Sequence, residues 1–183
     1  MTLKLIIFSI LSLLLVSISW RTLFNVKTHG FYRFFGWECM AWLFASNHRF
    51  WFVDPFGVKQ LVSWILLIYS AYLVVAGLLV MRRKGKVSST RDEKNLFGFE
   101  KTTELIDTGV FKRIRHPLYS SLVVLTFGIF LKNPTVDLLV ISLIATILFY
   151  ITSKYDEREC INYFGEPYLE YMKRTNMFIP FVF

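Results

Sequence analysis

The sequence predicts an all-α integral membrane protein, with about five transmembrane helices and an amphipathic helix on the cytoplasmic side at the C-terminal end. Three observations carry that prediction. Of 183 residues, 55% are hydrophobic and 18% aromatic against only 19% charged, a balance that excludes both a water-soluble domain and a disordered chain. The apolar residues gather into runs of membrane length. The 21 Lys and Arg, which leave a formal net charge of +8, fall mostly on one side of those runs, as cytoplasmic loops do. A nucleic-acid partner would also suit that charge, but the apolar runs decide for the membrane. Cys39 and Cys160 are the only cysteines, too few for a disulfide framework or a structural zinc site.

The first run, Leu5 to Trp20, holds 16 uncharged residues. It is short enough to resemble a secretory signal and is read here as a retained span. Phe34 to Phe52 is Trp-rich but carries Glu38, His48 and Arg49, so its spanning rests on placing its ends at the interfaces. Gln60 to Met81, with 22 uncharged residues, covers a hydrocarbon core of roughly 30 Å unaided. Pro117 to Leu131 and Leu138 to Ser153 are joined by Lys132, Asn133 and Pro134, a connection suited to a tight helical hairpin, with Asp137 in a helix first turn.

Five spans place Lys4, Arg49, Lys59 and Lys132 on one side and the remaining 17 of the 21 basic residues on the other. The second side is therefore expected to be cytoplasmic, with the N-terminus outside and residues 82–116 and 154–183 in the cytosol. Residues 82–101 read as a solvated basic linker. The chain divides into variable N-terminal helices with that linker, 1–101, and a chemistry-bearing region, 102–183, within one structural domain.

Membrane residence does not account for two polar clusters. The first runs from Thr102 through Arg115-His116-Pro117-Leu118-Tyr119. Pro117 suits the first turn of a helix, which puts His116 at or beside the N-cap and Tyr119 on the same face. An imidazole, a phenol and the unpaired N–H groups of a helix start then share one small volume, an anion site. Each residue alone could be a cap, an interface aromatic or a snorkelling cation; their convergence at membrane depth points to function. The second cluster is Lys154-Tyr155-Asp156-Glu157-Arg158-Glu159-Cys160, followed by Gly165 as a helix stop and Pro167 as a restart. Asp156 and Glu157 are the candidate cavity-facing acids, whereas Glu159, Glu166 and Glu170 read as surface-helix charges. His29 reads as loop, and Glu38 and His48 as satisfied interhelical polar residues.

Taken together, these segments resemble the isoprenylcysteine carboxyl methyltransferase family, within the wider group of integral-membrane methyltransferases that includes the phospholipid methyltransferases. The resemblance covers about Thr102 to Pro180. It consists of the T-E-L-I-D-T-G-V-F run, the R-H-P-L-Y helix start, an apolar hairpin, the acidic pair eight and seven residues before Phe164, and F-G-E-P-Y-L-E-Y ahead of a terminal I-P. The first hundred residues match only in being helical and apolar. The resemblance implies an S-adenosylmethionine pocket facing the cytoplasm and a lipophilic acceptor entering sideways from the bilayer. Carried onto this sequence, the cofactor contacts fall on Thr103, Glu104, Leu105, Ile106, Phe111, His116, Pro117, Leu118, Tyr119 and Asp156, with Arg115 in the same motif. The acidic pair is Asp156-Glu157 where Glu-Glu is usual, and Thr152 stands where the carboxyl methyltransferases have a substrate-handling Arg.

The expected function is therefore methyl transfer from S-adenosylmethionine to a carboxylate, thiol or amine on a lipophilic or small acceptor, without metal or nucleic acid. The cofactor carries both signs of charge. His116, Arg115 and the helix start suit its anionic end, Asp156 its positive charge, and Phe111 and Tyr119 its adenine or sulfonium. Arg115, or else Arg158, is the candidate for orienting an anionic acceptor. Glu157, or else His116, is the candidate base for a thiol or amine. The competing readings are a membrane reductase of related helical fold using a nicotinamide cofactor, and a non-enzymatic helical membrane subunit.

Overall fold

A computed structural model describes residues 2–86 and 100–179; residues 87–99 of the basic linker and Pro180 of the terminal motif lie outside them. The helices are α1 (Thr2–Ser19), α2 (His29–Asn47), α3 (Val58–Lys84), α4 (Pro117–Phe130), α5 (Val136–Phe164) and α6 (Glu166–Lys173), with a short 3-10 turn at Gly109–Lys112 before α4. An isolated parallel β-bridge joins Ile114 to Asn176. The chain is an all-α membrane protein. By length and hydropathy α1, α3 and α5 can each cross a bilayer, and α4 is a shorter apolar helix.

Helix boundaries follow local chemistry. Pro117 occupies the first turn of α4, where its missing N–H costs no helical bond. Asp137 sits in the first turn of α5, where the N-terminal end of the helix dipole favours a carboxylate. Gly165, at φ +65°, ends α5 in a conformation that side chains with a Cβ rarely adopt, and α6 restarts directly after it. At 29 residues α5 is much longer than its apolar run, so its last three turns project beyond the spanning part.

α2, whose hydropathy does not by itself mark a membrane span, is tied at both ends to its neighbours by polar contacts. At one end Asn47 Nδ2 donates to the Ile129 carbonyl at 2.8 Å; at the other, the His29 backbone N–H donates to Glu159 at 3.1 Å. Between them Met40 packs with Ala145 and Phe149 of α5. Ser63 and Ser70 on α3 donate to the carbonyls of Gly128 and Ser121 on α4, at 2.6 and 2.9 Å. Interhelical hydrogen bonds of this kind hold helices together where burial of apolar surface cannot. Glu38 accepts from Ser12 of α1 at 3.0 Å, an interhelical bond as expected; His48 Nδ1 bonds the Ala45 carbonyl of its own helix at 2.8 Å, and among the described residues its buried Nε2 has no hydrogen-bond partner.

In the α4–α5 connection Lys132 is buried beneath two indoles. Its Nζ lies 3.5 Å from the Trp64 ring and 5.1 Å from Trp51, and donates to Gln60 Oε1 at 3.0 Å. Burial pushes its pKa below the ordinary lysine value. Lys132→Met keeps the apolar stem but loses the cation and the hydrogen bond. Its expected cost is about 1–2 kcal/mol of stability, read as a lower melting temperature of the detergent-solubilised chain.

Candidate functional site

The site is assembled where the start of α4 meets the projecting end of α5. His116 precedes Pro117 as the N-cap residue of α4, without a side-chain cap bond to the helix. Its ring is therefore available to other partners. Nδ1 lies 3.3 Å from Asp156 Oδ2 and Nε2 lies 3.6 Å from Glu157 Oε1. Among the described residues Nε2 has no hydrogen-bond partner although it is buried. The Tyr119 ring, one turn on, is 5.6 Å from the imidazole.

The C-terminal segment holds the approach to α4 in place. Arg115 N–H donates to the Asn176 carbonyl at 2.8 Å, Asn176 N–H to the Arg113 carbonyl at 3.1 Å, and His116 N–H to the Met177 carbonyl at 3.2 Å. The Arg115 guanidinium bonds Glu157 Oε1 at 2.9 Å, the Met172 carbonyl at 3.3 Å and the Thr175 carbonyl. Tyr171 of α6 donates to the Phe111 carbonyl at 2.7 Å. Arg115, a candidate for orienting an anionic acceptor, is thus a three-way clamp between the start of α4, α5 and the C-terminal segment.

Burial would lower the His116 pKa, but the neighbouring carboxylates of Asp156 and then Glu157 outweigh it, and the pKa is raised above 6.5. The Tyr168 phenol, outside the spans, is pushed well above its ordinary value by burial and stays protonated at neutral pH.

One cavity is walled by these groups. Its lining includes Glu104, Leu105, Ile106, Phe111, Arg115, His116, Pro117, Leu118, Tyr119 and Asp156. Of the residues singled out from sequence, Thr103 and Glu157 stand off this wall. The Thr103 hydroxyl donates to the Lys86 carbonyl at 2.7 Å. Glu157 lies behind Arg115 and His116, 3% exposed, with Lys154 Nζ at 3.0 Å from its other oxygen.

The cavity also has walls that the sequence reading missed. Glu100, Thr102, Met81, Cys160, Phe164, Tyr168 and Tyr171 complete it. The aromatics at the end of α5 and on α6 had a legible signal, since Phe164, Tyr168 and Tyr171 recur at helical spacing around Gly165. Glu100 had none, standing at the end of a polar linker.

A larger departure concerns α2. His29, read as loop, is the first residue of α2 and fully buried, with Nδ1 2.8 Å from Glu159 Oε2. Arg33, one turn later, is 2.5 Å from Glu100 Oε1. Glu159, read as a surface charge, instead joins α5 to α2 because the i+3 register from Asp156 turns both carboxylates toward His29. One imidazole nitrogen of His29 and one carboxylate oxygen each of Asp156 and Glu159 lie within 4.8 Å of one another. These carboxylates already face the cations of His29, His116 and Arg33.

Comparison with known proteins gives the fold its relatives. The chain is similar to Protein-S-isoprenylcysteine O-methyltransferase B of Arabidopsis thaliana, 25% identical over 130 residues that cover 69% of this chain and 64% of that protein. The chain thus spans less than two thirds of that relative's length. No solved structure matches it. A family model, phospholipid methyltransferase, matches residues 58–166, a stretch that takes in α3, the 3-10 turn, α4 and α5. That stretch is more than half of the chain and supplies most of the cavity wall, and the protein belongs to the phospholipid methyltransferase family.

Proposed function

We propose that this protein transfers a methyl group from S-adenosylmethionine to a lipophilic acceptor at the membrane face bearing residues 100–119 and 154–179. The Lys and Arg distribution supports a cytoplasmic location for that face, with the N-terminus outside. The single observation that carries the reading is the approach of His116 to Asp156, 3.3 Å apart on the wall of one cavity. Family membership supports methyl transfer as the chemistry.

The residues present fit such a donor. It carries a carboxylate, an ammonium, a sulfonium and an adenine. The cavity offers carboxylates at Asp156, Glu100 and Glu104, cations at Arg115 and His116, and rings at Phe111, Tyr119 and Tyr168. His116, buried between the Asp156 and Glu157 carboxylates, borders this cavity. When bound, the donor supplies an electrophilic methyl group.

The chain's own contribution is positioning, which can be worth about 7–11 kcal/mol of a barrier. Asp156 holds His116 from one side and borders the cavity on the other. Glu157, off the wall, acts through Arg115 and His116 by fixing the start of α4. Aromatic walls from α6 exclude water. For a thiol or amine acceptor, His116 is the group on the wall that can accept a proton when neutral.

An apolar groove between α4 and α5, bordered by Ser120, Val123, Thr146, Ile147, Tyr150 and Phe178, offers the acceptor a path from the bilayer. Phe178 stands at its inner end, its ring 6.3 Å from that of His116. Thr152, buried and bonded to the Leu148 carbonyl of its own helix, provides no cation there for a carboxylate acceptor.

The test is incubation of the purified chain with a membrane lipid extract and methyl-deuterated S-adenosylmethionine, followed by mass spectrometry. The expected result is a lipid-soluble product carrying one labelled methyl group. Absence of labelled product together with quenching of NADPH fluorescence by the protein would overturn the proposal in favour of a reductase.

A further inference from the structure

A second cavity lies on the other side of α3 from the first and shares none of its lining. One wall is a stripe of α3. Tyr69, Tyr72, Ala76, Leu79 and Arg83 line it, spaced by three, four, three and four residues, so they form one continuous helix face. The opposite wall is the 3-10 turn, with Val110, Lys112 and Arg113. Gly109 joins the two walls: at φ +61°, a Cβ there would meet Val80 Cγ2 at 2.7 Å, so only glycine lets the turn approach the helix this closely.

The groove is polarised along its length. Arg83, Lys112 and Arg113 cluster at the end facing water, and no carboxylate lines the groove. Among the described residues, neither Arg83 nor Lys112 takes part in an ion pair. From Arg83 the wall runs 14 residues back to Tyr69, about 21 Å of helix, more than half of a hydrocarbon core of roughly 30 Å. Beyond the cations this wall is apolar except for the phenols of Tyr69 and Tyr72, whose stacked rings lie 6.2 Å apart. A soluble anion would use only the cationic end. An amphiphile with an anionic head and an acyl chain uses the whole groove.

We propose that this groove is a binding site for an anionic phospholipid, its phosphate held by Arg83, Lys112 and Arg113 and one acyl chain lying along α3 to Tyr69. The bound lipid braces the turn that also carries Phe111 into the first cavity. The proposal goes beyond methyl transfer and does not depend on it.

The test is native mass spectrometry of the full chain in mild detergent, loaded with dioleoyl phosphatidylglycerol or dioleoyl phosphatidylcholine. Retention of one phosphatidylglycerol is expected, about tenfold or more above phosphatidylcholine, given the attraction of each basic residue for an anionic headgroup. The triple substitution Arg83→Gln, Lys112→Gln and Arg113→Gln should abolish the preference. Ala76→Trp keeps every cation but fills the groove, and should also abolish it. Removing three exposed basic residues outside the groove, by Lys27→Gln, Arg82→Gln and Lys84→Gln, should leave it intact. Equal retention of the two lipids by the parent chain, or Ala76→Trp binding as the parent does, would overturn the proposal. So would an equal loss in the control triple variant, which would reduce the effect to net charge.

Discussion

Asp156→Asn is expected to weaken S-adenosylmethionine binding by about 30-fold or more in titration calorimetry of the detergent-solubilised protein. The carboxylate lies on the cavity wall and beside His116, at 3.3 Å. Removing its charge leaves a buried imidazole with one fewer anionic partner and the donor's positive groups with one fewer counter-charge. Charge-assisted hydrogen bonds in partly buried sites are worth about 1.5–3 kcal/mol each, so a 30-fold loss is about 2 kcal/mol. Unchanged affinity would remove Asp156 from the donor's surroundings. A pH signature should accompany the loss. His116 has a folded pKa raised above 6.5, so its pairing contributes stability that is fully present below about pH 6.5 and is lost as pH rises through the folded value. The melting-temperature difference between parent and Asp156→Asn should therefore be largest in mildly acidic buffer and shrink on going alkaline.

Glu157→Leu is expected to act on stability more than on binding. Glu157 is 3% exposed and joins Arg115 at 2.9 Å and Lys154 at 3.0 Å. Breaking a buried pair from one side leaves an uncompensated charge, at a cost of about 3–5 kcal/mol, which for a chain of this size is of order ten degrees in melting temperature. Arg115→Met alone should also destabilise, since the guanidinium clamps the carbonyls of Met172 and Thr175. The double variant should be less destabilised than the sum of the two, by about 1–3 kcal/mol. Strict additivity in that cycle would show that the two groups do not act as a pair.

The helices were largely legible in the sequence because lipid simplifies the coding. Backbone groups in hydrocarbon must bond within their own helix, so an apolar run of sufficient length between charges is a helix whatever surrounds it. Pro117 and Gly165 punctuate the chain through local backbone chemistry, and the cluster from Arg115 to Tyr119 could be read because i and i+3 positions are neighbours on any helix. Asp156 was separable from Glu166 and Glu170 only as a candidate, since spacing along one helix does not say which face meets a neighbour.

What the tertiary structure decided is which charges meet. His29 and Glu159 are 130 residues apart in sequence, and Arg33 and Glu100 are 67 apart; no local pattern links either pair. The sequence determined the helices, their order and the residues of two polar clusters, because those depend on interactions within a few residues. Only the packing of α2 against α5 turned His29 and Glu159 from loop and surface residues into a buried pair, and only the docking of α6 closed the cavity with aromatics. The reason is physical: in lipid a charge is stable only beside its partner, and that partner is supplied by the geometry of whole helices rather than by neighbours in the chain.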